Sequence, residues 1–195
     1  MIPGSSDIGL KEWAVTIDAL SEGQQIILLR KGGIREDGRH FKIEHRGFFM
    51  YPGHFHEGAA LLKPERQHLL NGKDPADFDD MVTLSVYAEI TDVIEISDEA
   101  SVRALDRFHI WSEDYAVKRA NWKPRHPLNV ILLRCHRLQQ PQALMVMPEY
   151  GGCKSWVQFV EEYPVGVTTP ALTQRRFDAL STDIKDALAT AKAGV

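Results

Sequence analysis

Val82-Thr83-Leu84-Ser85-Val86-Tyr87-Ala88-Glu89-Ile90-Thr91-Asp92-Val93-Ile94-Glu95-Ile96 is the stretch on which the fold turns. Leu84, Val86, Ala88 and Ile90 fall in one register at a spacing of two, the period of a strand with one buried face. The phase changes at Thr91-Asp92, after which Val93, Ile94 and Ile96 are apolar, so a bend or bulge is expected there. A helix should follow at once. Ser97 or Asp98 is suited to cap it, Glu99 complements its first turn, and Val102, Leu105, Phe108 and Ile110 or Trp111 would face the core.

Working toward the N-terminus, Trp13, Val15, Ile17 and Ala19 also alternate, and Gln25 to Arg30 is a short apolar run after the turn residues Ser21 to Gln24. Residues 12–30 are therefore expected as a hairpin, with a helical start near Leu10 to Trp13 as the alternative. Two more strands are expected at residues 41–45 and 48–51, joined by Arg46-Gly47, and a helix over 57–70 that Pro64 begins or breaks. Toward the C-terminus, Ser112-Glu113-Asp114 caps a second helix running to Trp122, and the prolines at 124 and 127 end it. Leu128 to Leu138 and Gln142 to Met147 then read as a hairpin across Gln139-Gln140-Pro141, and Ser155 to Val160 as a further strand. Phe177, Leu180, Ile184 and Leu188 stand at helical spacing, so residues 169–193 form a C-terminal helical extension. The fold class that results is α+β, a mixed or partly barrel-like β-sheet with helical insertions and C-terminal helices, with residues 1–195 as a single domain.

A hydrophobic fraction of 44% and a charged fraction of 26% exclude disordered, collagen-like and coiled-coil classes. No run approaches the roughly 20 apolar residues of a membrane helix, and the N-terminus lacks a basic region before an apolar core, so a cytoplasmic protein without a membrane partner is expected. Cys135 and Cys153 have no CxxC partner, which fits reduced thiols rather than a disulfide or zinc framework. The net charge of −4 is unevenly spread. Residues 74–99 carry acidic side chains and no lysine or arginine, whereas residues 103–137 are rich in lysine and arginine, with Trp111, Tyr115 and Trp122 interleaved. The second stretch is the candidate surface for an anionic ligand.

Four segments, Leu10 to Val15, Leu28 to Ile34, Phe49 to Gly53 and Glu149 to Val157, together resemble domain-of-unknown-function family 1802. The resemblance spans roughly residues 10–160. It defines no catalytic residue. What it implies is an association with restriction-endonuclease-like domains, and so a nuclease partner and a setting in restriction and modification of DNA.

Several groups of residues are candidates for chemistry. Lys31-Gly32-Gly33 follows an apolar run, and Gly151-Gly152-Cys153-Lys154-Ser155 resembles the tail of a phosphate loop without its first glycine or its Gly-Lys-Ser order. In both, glycine-mediated turns compete with anion binding by the backbone. Lys31, Gly32, Gly33, Gly151, Gly152, Lys154 and a stacking Trp156 form the ligand-binding set, and the two segments are expected to lie close together. His54 and His56 are a metal-ligand pair with no third ligand fixed by spacing, for which His40, His45 or Glu57 are available. Cys153 beside Lys154 is a candidate nucleophile, against the commoner structural cysteine. Lys118, Arg119, Trp122, Lys123 and Arg125 are the nucleic-acid-binding set, because cations neutralise phosphates while an indole stacks on a base. The competing reading is a solvated helix face with core tryptophans.

Absences narrow the chemistry. The chain has no Glu-x-Lys triplet to serve a restriction-type nuclease, and no acidic helix after Gly53 of the kind that binds metal-pyrophosphate in Nudix proteins. Nothing specifies a cofactor. The first expectation is thus a non-catalytic nucleic-acid-binding or accessory domain; the alternative is an enzyme for a phosphorylated small molecule, with or without metal, built around Lys31, His54, His56 and Lys154.

Overall fold

A computed structural model describes residues 2–31, 43–53, 59–70, 80–122, 126–152 and 154–193. Strand β1 (Ser5–Trp13) runs directly into helix α1 (Ala14–Ser21), and β2 (Ile27–Arg30) follows. Strand–helix–strand thus replaces the hairpin expected over 12–30. The alternation of Trp13, Val15, Ile17 and Ala19 misleads because α1 is enclosed: Val15, Thr16, Ile17, Ala19 and Leu20 are all buried. Only Ala14, Asp18 and Ser21, on one face, are half-buried, and over eight residues that narrow stripe is too short to mark a helical period.

Strand β3 (Gly47–Gly53) matches the second of the two expected strands. Residues 43–46 form none, and residues 41–42 lie outside the described residues. Where a helix was expected over 57–70, two 3-10 turns stand at Ala59–Leu61 and Pro64–Leu70. Pro64 opens the second, a position whose N–H has no intrahelical partner in any case.

Strand β4 (Met81–Ile96) pairs antiparallel with β5 (Leu128–Met145), and the register shift between Ile90 and Asp92 is the anticipated bulge. The expected hairpin at 139–141 does not form, because β5 continues straight through it. Gln142 faces Leu84 while Arg137 faces Val86, so residues 138–141 fall in a second register shift against β4. A proline at 141 forfeits no ladder hydrogen bond there. Strands β6 (Trp156–Pro164) and β7 (Thr168–Pro170) complete a seven-stranded mixed sheet of order β2-β5-β4-β3-β1-β6, with β7 also on β5. Among the described residues only β1 and β3 pair in parallel. Gly9 lets β6 lie close: a Cβ there would meet the Phe159 ring at 2.6 Å.

The sheet is open but strongly coiled. Leu10 of β1 and Leu28 of β2 share one core with Phe48, Met50, Val86, Ile131 and Leu133, although β5, β4 and β3 stand between them in strand order. Helix α1 adds Ile17 and Leu20 to that core. The opposite face of β2, β5 and the end of β4 is covered by α2 (Glu99–Ala104), α3 (Glu113–Asn121) and α4 (Gln174–Ala193). The Asp98 carboxylate accepts the Ser101 N–H at 2.7 Å and caps α2, as its position predicts; those hydrogen bonds also hold its carboxyl below the usual carboxylate range. Ser112 caps α3 by accepting from the Tyr115 N–H. Along α4, Phe177, Ile184 and Leu188 are buried against this second core, each aliphatic side chain contributing about 2 kcal/mol on burial. Among the described residues no helix is long and apolar enough to cross a membrane.

Candidate functional site

Coiling brings the C-terminal ends of β1, β2 and β3 together although their strands are not neighbours throughout. The Arg30 guanidinium at the end of β2 pairs with the Glu12 carboxylate at 2.9 Å and donates to the Lys11 carbonyl, both at the end of β1. Lys11 in turn donates from Nζ to the Gly152 carbonyl at 3.1 Å, and its backbone N–H donates to the Ser155 carbonyl at 2.8 Å. This chain of contacts joins β2, β1 and the segment before β6. Over it opens a cleft of about 730 Å³, within the range of small-molecule sites.

Its walls come from elements far apart in sequence. Trp13, Tyr51 and Gly53 stand at strand ends, Asp80 and Val82 begin β4, and Val146, Tyr150 to Gly152, Lys154 and Ser155 line the path from β5 to β6. Tyr115, Arg119 and Trp122 project from one face of α3, at helical spacing, with Trp111 just before it. The aromatic side is tightly built: Trp13 stands edge-on to Trp111 at 4.9 Å, and Tyr115 lies 5.1 Å from Trp111 and 5.7 Å from Trp13. Trp122 at the C-terminal end of α3 is the most open ring of the cleft, 40% exposed. Five basic side chains among the described residues, Lys11, Arg30, Lys31, Arg119 and Lys154, face two carboxylates, Glu12 and Asp80. Among the described residues the lining thus carries more cations than carboxylates, despite the net negative chain.

These cations differ in what already holds them. Arg30 and Glu12 are each only 13% exposed in their side chains and form a partly desolvated pair. Lys31 is buried, and its Nζ donates to the Ala120 carbonyl in the last turn of α3. An ammonium at a helix C-terminus satisfies an orphan carbonyl and the helix dipole, so Lys31 fastens α3 to β2. Burial lowers its pKa below the usual lysine value. Among the described residues Arg119 has its Nε buried without a hydrogen-bond partner, and Lys154 is exposed at the rim. Burial, and the neighbouring Tyr150, push the Tyr51 phenol up from its ordinary pKa.

The sequence-derived candidates are distributed as follows. Lys31, Gly151, Gly152 and Lys154 of the ligand-binding set and Arg119 and Trp122 of the nucleic-acid set all line this one cleft. Lys118 is exposed and does not. Gly152 has φ of +78°, the left-handed conformation of a glycine turn. Trp156 lies outside the cleft and packs edge-on to Phe48 at 5.0 Å and His45 at 5.3 Å, half-buried against the core of the coiled sheet. Gly32, Gly33, His54, His56, Lys123, Arg125 and Cys153 lie outside the described residues. Among those described, no three His, Cys, Asp or Glu side chains converge as metal ligands. Cys135 is buried, which pushes its thiol up to about 12 and keeps it protonated. Sequence reasoning missed Lys11, Glu12, Trp13, Arg30 and Tyr51. Only their common position at strand ends marks them, and it appears once the strands are placed.

Fold and cleft give an α+β architecture with an open mixed sheet and, among the described residues, an aromatic, basic concavity at its strand ends. The family profile of DUF1802, a domain of unknown function, matches residues 9–183, and the chain belongs to that family. The match reaches into α4, beyond the end of the resemblance at residue 160. No curated protein matches the chain. Among solved structures, the crystal structure of a serine-to-alanine mutant of ZmASCH from Zymomonas mobilis is similar at 11% identity and a TM-score of 0.43, covering 93% of this chain and 98% of that one.

Proposed function

We propose that the cleft binds nucleic acid, receiving one unstacked base beside Trp122, Trp13 and Tyr115 while Arg119, Lys11 and Lys154 hold the flanking phosphates. The observation that carries this reading is the convergence of aromatic faces and basic side chains on a single cleft of about 730 Å³. Bases of every kind offer a π face, and stacking on an aromatic side chain contributes about 1–3 kcal/mol. Phosphates reward the surplus of cations. Arg119 supports it further, because a buried Nε with no partner among the described residues is costly until an acceptor arrives.

Tryptophan-fluorescence titration with single-stranded DNA and RNA oligonucleotides at 50 and 200 mM salt tests the proposal. Binding should weaken as salt rises, and Arg119→Ala and Trp122→Ala should each lower affinity by about tenfold or more, in keeping with a lost phosphate or stacking contact. An absence of affinity at low salt, or wild-type affinity in both variants, rejects it.

A further inference from the structure

Helix α3 supplies Tyr115, Arg119 and Trp122 to the cleft, and its two ends are held differently. The Ser112 cap and an ion pair between Arg103 of α2 and Glu113 secure the first turn. Among the described residues of α3, Ala116 alone is buried, while Val117 and Ala120 pack half-buried against the second core. None of residues 118–122 is buried. The turn that carries Arg119 and Trp122 is therefore the weakly packed end of the helix. One long-range polar contact reaches it: Lys31 donates from Nζ to the Ala120 carbonyl. Lys31 itself stands on a firm base, directly after β2, whose Ile27, Leu28 and Leu29 are buried and pair with Leu132, Ile131 and Val130 of β5.

Lys31 borders the cleft, so two roles compete for its ammonium, contact with a ligand and support of the helix. Its buried position and its bond to Ala120 favour support. A move toward a phosphate would leave a carbonyl of the last turn without its donor and give up a favourable site against the helix dipole. Ala120 directly follows Arg119 and precedes Trp122 by two residues, so a fixed Ala120 fixes the backbone beneath both. Ordering a long side chain at the moment of binding weakens affinity, and a backbone set beforehand removes part of that cost. We infer that Lys31 is a positioning residue of the cleft: through Ala120 it holds the last turn of α3 so that Arg119 and Trp122 stand ready for phosphate and base, and it acts on the ligand only through them. The inference rests on the cleft reading above and adds to it a residue that works from beneath the helix.

The test uses the full chain and a fluorescein-labelled single-stranded DNA at 50 mM salt, with binding read by anisotropy. Lys31→Met keeps the buried stem and removes the donor. It should weaken binding about tenfold in otherwise wild-type protein and less than about twofold in Arg119→Ala/Trp122→Ala, since residues that act through one another are not additive. Amine labelling of the wild-type protein, read by mass spectrometry, needs no variant to fold: the oligonucleotide should shield Lys154 and leave a sparse labelling of Lys31 unchanged. An equal loss from Lys31→Met in both backgrounds overturns the inference, because the residue would then serve the whole fold or touch the ligand itself. A Lys31 amine that is labelled freely and shielded by the oligonucleotide overturns it too, and both results leave the cleft reading intact. Wild-type protein that does not bind refutes the cleft reading and this inference together.

Discussion

The two ends of the β4–β5 pair are built from the same two strands and have opposite fates. At the far end Leu128, Val130 and Leu132 face the helices while Ile131 and Leu133 face the coiled-sheet core, so both faces are buried. At the near end only Val82, Leu84 and Leu144 are buried, and Met81, Thr83, Ala143 and Met145 are exposed. The sequence patterns differ accordingly: Leu128-Asn129-Val130-Ile131-Leu132-Leu133 is almost unbroken in apolar residues, whereas Met81 to Leu84 alternates buried and exposed. One ladder thus anchors the fold at one end and leaves one face of the other exposed.

Breaking the covered end should have the largest effect. Leu132 has no exposed surface and packs under the helices, so Leu132→Ala should cost about 4 kcal/mol of stability, read from urea denaturation midpoints. A variant within 0.5 kcal/mol of wild type, by the yardstick for surface sites, would mean that this end is not the anchor.

The connection between α2 and α3 gives a pH-dependent second measure. His109 is 5% exposed, and burial first, then the Lys63 ammonium, push its pKa down from 6.5 to about 4. A depressed folded-state value favours the neutral ring, so its contribution is complete above pH 6.5 and is lost as pH falls toward 4. Across that window it amounts to about 3 kcal/mol. Denaturation midpoints between pH 7.5 and 4.5 should fall less steeply in His109→Gln than in wild type. Equal slopes would locate the acid sensitivity elsewhere, His136 being a second buried imidazole held below its ordinary pKa by burial.

The exposed end should yield the smallest effect. Met145→Ser removes an exposed side chain from the end of β5 and should change stability by less than about 0.5 kcal/mol in the same urea experiment. A loss above about 1 kcal/mol would show this end to be structural and erase the contrast between the two ends.

How far the sequence could be read follows the same division. The strand 81–96, its bulge at Ile90/Asp92, the Asp98 cap and the spacing of Phe177, Ile184 and Leu188 depend on neighbours a few residues away, and each was legible. Helix α1 was not, because in eight residues with only one narrow half-buried face the period that separates helix from strand is too short to show. Pro141 looked like a turn because its tolerance inside β5 depends on a register shift against β4, which is a long-range property. At the site, the interleaved aromatics of α3 were visible as a pattern, and Arg119 and Trp122 do reach the cleft. Lys31 carries no local mark of being spent on Ala120, a residue 89 positions away.

The pairing of β1 sets an order of events during synthesis. Its parallel partner β3 follows within about forty residues, but its other edge waits for β6, where Leu10 meets Trp156. At about 5–20 residues per second, that edge stays open for roughly ten to thirty seconds on the ribosome. An unpaired strand edge is a template for wrong partners. The nascent chain therefore passes through a period of exposure to misassembly that ends only when residues 156–164 have emerged.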